Sequence, residues 1–129
     1  MDDEQFFSDV ESRADLDSRE EAVAAAEATL GVLGERLGSG TDALADELPA
    51  NLATAVESEG DEAAGFSPDE FVDWVREAER EQGASLDVSS ARLHVQAVFE
   101  SLERAVGGEA WNEVRSGLPD EYERLFKAG

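Results

Sequence analysis

The single histidine of the chain, His94, is the residue best suited to acid–base chemistry near neutral pH. It could transfer a proton or contact a ligand. The alternative is a histidine at the edge of an apolar helical stripe, half covered by neighbouring helices and without a chemical role. A serine nucleophile that used His94 as its base would need a Gly-x-Ser-x-Gly turn, which the sequence lacks. We therefore predict no catalytic residue.

Three aromatic residues in the second half of the chain, Trp74, Trp111 and Tyr122, are the other candidates for ligand binding. A tryptophan pair can line a ligand cleft or anchor a protein partner. The alternative is that both tryptophans fill space in a core otherwise rich in alanine. Together with His94, these residues predict a ligand-binding site if the fold brings them into one cavity.

The sequence contains no ligand pattern for a metal ion or a cofactor. It has no cysteine and one histidine, which excludes disulfides and argues against a zinc site. A di-metal helical bundle needs Glu-x-x-His, but Ala91 stands three residues before His94. A calcium loop beginning at Asp15 would have Glu20 in place of the required glycine and Ala26 in place of the closing glutamate. No Gly-Lys-Ser or Gly-Lys-Thr phosphate loop occurs. We expect no bound metal and no cofactor.

Acidic residues dominate the charge of the chain. It has 32 acidic and 10 basic residues, a net charge of −22, and a single lysine, Lys127. Such a charge repels itself unless concentrated cations screen it, and at 1 M salt the Debye length is only about 3 Å. Dispersed carboxylates with almost no lysine are typical of a cytoplasm rich in KCl. The composition therefore predicts a halophilic, haloarchaeal-type protein; an acidic protein from a low-salt organism is the alternative.

The basic residues are too few and too dispersed to predict nucleic-acid binding, which requires clustered lysine and arginine. Arg76 and Arg80 lie one helical turn apart, but four acidic residues surround them: Asp73, Glu77, Glu79 and Glu81. This pattern favours intrahelical salt bridges on a helix surface. A phosphate-binding patch at the two arginines is the alternative.

The sequence contains no segment that targets a membrane. No apolar run approaches the roughly 18 residues that a membrane-spanning helix needs. The acidic start MDDEQ is the reverse of a signal peptide. We expect a cytoplasmic protein without membrane association.

Apolar residues recur at helical spacing along the chain, which predicts an all-α fold. The first half contains predicted helices from about Asp3 to Ala14, from an N-cap at residue 17 or 18 to Leu37, and at 41–48 and 49–57. The second half contains a helix that begins at the capping-box sequence SPDE and helices at 89–106, 109–116 and 119–127. No stretch alternates apolar and polar residues over the length of a strand.

Two copies of one helical pattern follow each other in the sequence. The dipeptide Leu48-Pro49 recurs as Leu118-Pro119, and Phe7 of the first opening helix matches Phe71 of the second. The stripe of the first long helix recurs 69 residues later, with Ala22, Ala26, Leu30, Leu33 and Leu37 matching Ala91, Val95, Phe99, Leu102 and Val106. Apolar positions agree while surface residues differ, as expected when two units share a core geometry.

The pattern divides the chain into two related units that form one domain. Residues 1–58 are the first helical repeat, 59–66 an acidic linker that contains glycine, and 67–129 the second helical repeat. The second copy carries extra residues around positions 82–85. We predict a compact bundle in which each unit contributes about four helices.

These motifs resemble the prokaryotic domain-of-unknown-function family 2267. The matching stretches of the first copy are FFSDVESRADL, AVAAAEATLGVLGERLGSG and ELPANL, and those of the second are FSPDEFVDWV, ARLHVQAVFESLERAVGG and GLPDEYERLF. They cover nearly the whole chain. The resemblance implies paired helical units, and it brings no catalytic residues because the family has no agreed activity.

Two classes of function remain open. The first is a non-catalytic helical module that binds another protein or itself, or stabilises an assembly. The second is an enzyme or small-ligand binder with its site at the junction of the two repeats, around His94 and the three aromatic residues. A nucleic-acid-associated protein is a weaker third hypothesis.

The charge leads to a prediction that is independent of function. We expect helix content to fall when KCl is lowered from about 1 M to about 10 mM, because unscreened carboxylates then repel each other over a longer range. Circular dichroism across a KCl series measures this loss. An unchanged spectrum would contradict the halophilic interpretation.

Overall fold

The computed structural model describes residues 3–16, 18–37, 42–48, 50–56, 67–81, 83, 87–106, 108–116, 118 and 122, and within these ranges every regular element is helical. The helices are α1 (Asp3–Arg13), α2 (Arg19–Leu37), α3 (Asp42–Glu47), α4 (Ala50–Val56), α5 (Pro68–Glu81), α6 (Val88–Ala105) and α7 (Gly108–Ser116). The predicted all-α fold class is confirmed.

Several predicted features lie outside the described residues. They are the linker at 59–66, the glycine stop at 38–40, both prolines of the Leu-Pro pairs, most of the insertion at 82–85, and the last helix except for Tyr122. They remain predictions.

Side-chain caps fix where the long helices begin. The amide of Glu70 donates to Ser67 Oγ and the amide of Ser67 donates to Glu70 Oε1, both at 3.2 Å, so the predicted capping box starts α5. Helix α6 begins one residue earlier than predicted, because the amide of Ser90 donates to Asp87 Oδ1 at 2.8 Å. The hydrogen bond from the Ser90 amide also lowers the pKa of the Asp87 carboxyl.

Helices α2 and α6 lie at the centre of the packing. Helix α2 packs against α1, α4, α5 and α6, and α6 also packs against α1, α5 and α7. The predicted stripes face this core, since Ala22, Ala26, Leu30 and Leu33 are buried and so are their predicted counterparts Ala91, Val95, Phe99 and Leu102. Buried residues of both halves belong to one hydrophobic cluster. The described part of the chain therefore folds around a shared core.

A glycine allows close contact between the backbones of α2 and α4. Gly34, near the end of α2, is buried, and a Cβ atom added there would overlap the carbonyl oxygen of Val56 at the end of α4. The absence of a side chain at Gly34 lets the two backbones touch. This contact positions α4 against the central helix.

Replacing this glycine should destabilise the protein. We expect Gly34→Ala to lower the free energy of unfolding by about 2 kcal/mol, because the added methyl group forces α2 and α4 apart. Denaturant unfolding in molar KCl measures the change.

The matched control is Gly108→Ala, because a Cβ there meets no heavy atom within 4 Å. It should leave stability unchanged or raise it by up to about 1 kcal/mol, since alanine favours the first turn of a helix more than glycine does. Equal effects of the two substitutions would contradict the close contact at Gly34.

Candidate functional site

Glu79 and His94 form a buried polar pair between α5 and α6. The Nδ1 atom of His94 lies 3.0 Å from Oε1 and 3.0 Å from Oε2 of Glu79. The side chain of Glu79 is 1% exposed and that of His94 is 7% exposed. The carboxylate is thus enclosed, and the small solvent contact that the pair retains belongs mainly to the histidine.

The two side chains point inward because each continues the buried stripe of its helix. Glu79 follows Phe71 and Val75 at intervals of four residues, and both of these are fully buried. His94 lies three residues after Ala91, which is also buried. The caps at the starts of α5 and α6 set the helical register in which these positions face each other.

The geometry relates the roles of the two ring nitrogens to the charge of Glu79. When Glu79 is ionised, its carboxylate only accepts hydrogen bonds, and Nδ1 of His94 is then the donor. Within the described residues, Nε2 makes no hydrogen bond. In the neutral ring Nε2 then carries a lone pair, the arrangement in which an imidazole accepts a proton or a hydrogen bond.

The structure corrects two sequence-based expectations about this pair. The sequence places Glu79 among the acids around Arg76 and Arg80 on the helix surface, but the side chain is enclosed and bonded to His94. The sequence also predicts a half-covered His94, but this residue is buried. A signal for Glu79 is present in the sequence, because it occupies the next i+4 position after Phe71 and Val75.

Two of the other candidate residues belong to an aromatic cluster in the core. The ring of Tyr122 lies 5.9 Å from that of Phe71, Phe71 lies 5.6 Å from Phe99, and Phe99 lies 6.1 Å from Trp111, all edge to face. Both Tyr122 and Trp111 are buried. Such contacts stabilise the core beyond the effect of burial alone. The space-filling interpretation therefore describes Trp111.

Trp74 has a different position from Trp111. It lies on α5 and its exposed fraction is 40%, so it does not fill the core. The four candidate residues thus have three settings: a core aromatic cluster, a polar pair and a helix surface. Ligand binding by these residues remains a prediction.

A second polar cluster connects α1 with α6. Asp9 Oδ2 accepts hydrogen bonds from Arg13 Nε at 2.8 Å and from Ser101 Oγ at 2.7 Å. Arg13 Nη1 donates to Glu100 Oε2 at 2.8 Å. Ser101 is fully buried, and the three charged side chains are partly exposed. One guanidinium therefore connects carboxylates of two helices.

This cluster favours the charged form of Asp9. Burial acts to raise the pKa of the Asp9 carboxyl, but the hydrogen bonds from Ser101 and Arg13 and the positive charge of Arg13 outweigh it, so the pKa lies below its usual value. The same contacts raise the pKa of Arg13, with the hydrogen bond to Asp9 as the largest cause. The contact between α1 and α6 is thus strongest when Asp9 is ionised.

Two other kinds of site are absent from the described ranges. No three His, Asp or Glu side chains there lie close enough to hold a metal ion. No helix in the same residues is long and apolar enough to cross a membrane.

These features define an all-helical protein with a buried carboxylate–imidazole pair in its second half. The sequence profile of the uncharacterized conserved protein family DUF2267 matches residues 3–125. The chain therefore belongs to the DUF2267 family. Among curated proteins, none matches it.

Substitution of either member of the Glu79–His94 pair alone should destabilise the protein, because the other member is then buried without a partner. His94→Ala leaves a carboxylate buried without a partner, and we expect the free energy of unfolding to fall by about 3 kcal/mol. Glu79→Ala should also destabilise. The double variant should be more stable than the sum of the two effects predicts, by about 2 kcal/mol, because it leaves no unpaired polar group. Denaturant unfolding of the four proteins in molar KCl measures this coupling, and additive effects would contradict the pair.

Removal of the buried Ser101 hydroxyl should reduce stability by an amount that depends on pH, because this hydroxyl stabilises the ionised form of Asp9. We expect Ser101→Ala to lower the free energy of unfolding by about 1 kcal/mol at neutral pH, because Asp9 loses a hydrogen bond to its charged form. The folded-state pKa of Asp9 lies below the unfolded value, so this contribution is complete above the unfolded pKa and disappears as pH falls through the folded pKa.

Unfolding curves of wild type and Ser101→Ala between neutral and strongly acidic pH measure the difference. Ser12→Ala is the control, because Ser12 is an exposed serine of α1. A difference between wild type and Ser101→Ala that is independent of pH would show that Ser101 acts through packing and not through the charge of Asp9.

Proposed function

We propose that this DUF2267 protein is a non-catalytic module of two related helical units, 1–58 and 67–129, that binds another protein through its second unit. The observation that carries the binding role is the position of the exposed apolar side chains. Within the described residues, the large apolar side chains that are exposed are Trp74, Val88 and Leu93, and all three lie on α5 or α6.

The repeat is supported by how α2 and α6 are buried. Each of the eight buried residues within α6 has a buried counterpart 69 positions earlier in α2. The pairs are Ala22 and Ala91, Ala25 and His94, Ala26 and Val95, Ala28 and Ala97, Thr29 and Val98, Leu30 and Phe99, Val32 and Ser101, and Leu33 and Leu102. A common buried surface on two helices is the expected result of a duplicated unit.

The contacts between helices also support the repeat. Helix α1 packs on α2 as α5 packs on α6, and α1 packs on α6 as α5 packs on α2. The contacts between α2 and α6 and between α3 and α7 join equivalent elements. Exchange of the two units therefore preserves these contacts, as it does in a pseudo-two-fold arrangement.

The burial pattern also suggests an alignment of the two opening helices, α1 and α5, that is shifted by one residue from the match of Phe7 with Phe71. Phe6, Val10 and Ala14 are buried in the first unit, and Phe71, Val75 and Glu79 are buried in the second, each 65 positions later. In this register the two members of the polar pair, Glu79 and His94, correspond to buried alanines, Ala14 and Ala25. Trp74 corresponds to Asp9. The two units thus share a core but differ in the side chains that could contact other molecules.

An exposed tryptophan is a strong candidate for an interface residue. Tryptophan is enriched among the residues that contribute most to protein–protein affinity, because it buries a large apolar area at small entropic cost. We infer that the partner is a protein, because the 10 basic residues of the chain are too dispersed along the sequence to bind the phosphates of a nucleic acid. The same composition supports our proposal of a haloarchaeal-type, cytoplasmic protein.

Substitutions on α6 and α5 test this proposal. We expect Leu93→Glu and Trp74→Glu each to reduce capture of a partner from native lysate by about tenfold or more, since either change places a charge in an apolar contact. The pull-down is kept in molar KCl and read by quantitative mass spectrometry. The control is Ser12→Glu, which adds the same charge on the exposed surface of α1.

Circular dichroism establishes that each variant is folded, and sedimentation of the wild type shows whether the partner is a second copy of the chain. A stoichiometric partner that is lost with both α5–α6 variants and retained with Ser12→Glu supports the proposal. A partner retained with all variants would place the interface elsewhere. The absence of any stoichiometric partner, self-association included, would contradict the binding role.

The second candidate function is small-ligand binding in the second unit. One specific observation favours it, the polar pair of Glu79 and His94 on a helix face whose counterpart in the first unit is alanine. The junction site that includes Trp111 and Tyr122 has less support, because both side chains are occupied in core contacts.

A further inference from the structure

The polar pair of the second unit is not needed to fill space in this type of fold. Under the repeat proposed above, Ala14 and Ala25 occupy the positions of Glu79 and His94, and both alanines are buried. The first unit therefore buries a methyl group at each of the two positions, and the second unit buries a carboxyl group and an imidazole there.

Burial of such a pair is costly compared with an apolar contact. Both groups lose hydration, and their mutual attraction usually repays only part of that loss, so apolar residues in place of a buried ion pair often leave a protein equally stable or more stable. Packing and stability therefore do not account for a carboxylate and an imidazole at these positions. Buried polar groups that stability does not require are typical of functional sites.

The orientation of the pair indicates which atom would be used. Glu79 is enclosed and both of its carboxylate oxygens lie at Nδ1, so it holds the ring in one orientation. The opposite nitrogen, Nε2, has no partner among the described residues, and the histidine side chain retains the larger exposed fraction, 7% against 1%. When the carboxylate accepts the hydrogen of Nδ1, the lone pair of the neutral ring lies on Nε2, which is then its acceptor atom.

We propose that the second unit contains a small-molecule site in which Nε2 of His94 accepts a hydrogen bond from the ligand and Glu79 positions the ring. This inference deepens the second candidate function and rests on the proposed repeat. The ligand class follows from the chemistry of the acceptor and from the carboxyl group beside it. Nε2 requires an N–H or O–H donor, and the adjacent Glu79 disfavours an anion at the ring, so the ligand is a small amine or alcohol.

Because His94 is the only histidine, its ring can be observed without interference from other residues. Long-range ¹H–¹⁵N NMR at about pH 8, where an ordinary histidine is neutral, should show hydrogen on Nδ1 and a lone pair on Nε2. Glu79→Gln should weaken this preference for one tautomer, because the glutamine amide can donate to Nδ1 as well as accept from it; a packing role alone would not produce this change. A proton on Nε2 in the wild type would overturn the proposal.

Access to Nε2 is tested with diethylpyrocarbonate, which carbethoxylates neutral imidazole. Nε2 attacks a carbonyl carbon of the reagent, the bond to the ethyl carbonate group breaks, and that group leaves with the proton of Nδ1. We expect one modification per folded chain, and a lower rate in Glu79→Gln, because a smaller fraction of the neutral ring then has its lone pair on Nε2. His94→Gln gives the background. A histidine that reacts only after denaturation would overturn the proposal.

The ligand class is tested by titration of the same NMR signal at constant ionic strength. Methylammonium, which has N–H donors, should shift the Nε2 resonance in a saturable way, and tetramethylammonium, which has none, should shift it by less than about a tenth as much. Equal shifts, or no shift with methylammonium, would overturn the donor-binding site.

Leu93→Glu should leave these titrations unchanged, and Glu79→Gln should leave partner capture unchanged. The failure of the ligand site can thus be distinguished from the failure of the protein-binding surface.

Discussion

The fold depends on how closely four helices can approach α2. Four of the nine buried residues described in this helix are alanines, and a fifth is the glycine where α4 crosses it. Small side chains allow short distances between helix backbones, and the dispersion attraction between the helices is stronger at these distances. Because α1, α4, α5 and α6 all pack on α2, their mutual positions follow from this one surface. The larger core residues, above all the aromatic rings of the second half, then fill the remaining space between the helices.

Most of the helical framework could be predicted from the sequence, for a simple physical reason. Stripes such as Ala22, Ala26 and Leu30 repeat at the period of the α-helix, and serine, proline and glutamate mark the start of α5. Both signals depend only on residues within a few positions of each other, so they can be recognised without knowledge of the tertiary structure. The end of α1 and the start of α6 differ from prediction by one residue each, because caps such as Asp87 compete with equally suitable neighbours.

The candidate site was less predictable, because its properties depend on tertiary contacts. Glutamate is usually a surface residue, which favours an exposed Glu79, although its i+4 relation to Val75 places it on the buried face. Trp74 lies at the edge of its helix stripe, and only the position of neighbouring helices decides that it is exposed. The hydrogen bond between Ser101 and Asp9 joins residues 92 positions apart, a distance over which no periodic pattern gives information.

Charged and titratable side chains in or beside the core have two distinct arrangements. In the second half, one carboxyl group is enclosed with one imidazole, and the two come from the neighbouring helices α5 and α6. Between α1 and α6, the charged groups stay at the edge of the core, with only the hydroxyl of Ser101 fully buried. The first arrangement holds one atom in a defined orientation. The second connects the beginning of the chain to its other half.

The bridge made by Arg13 bears on the proposed dependence of this protein on salt. One guanidinium contacts the carboxylates of Asp9 and Glu100 through two different nitrogens, so the cluster has a net charge of −1 where the two acids alone would give −2. A lysine ammonium lacks this rigid two-sided geometry. The α1–α6 contact therefore contains its own positive charge, the guanidinium of Arg13. We expect the stability of this contact to depend less on dissolved potassium ions than the stability of surfaces whose acids have no such bridge. As salt is diluted, α1 and α6 should therefore stay together while contacts whose acids have no such bridge open first, so that loss of structure proceeds region by region.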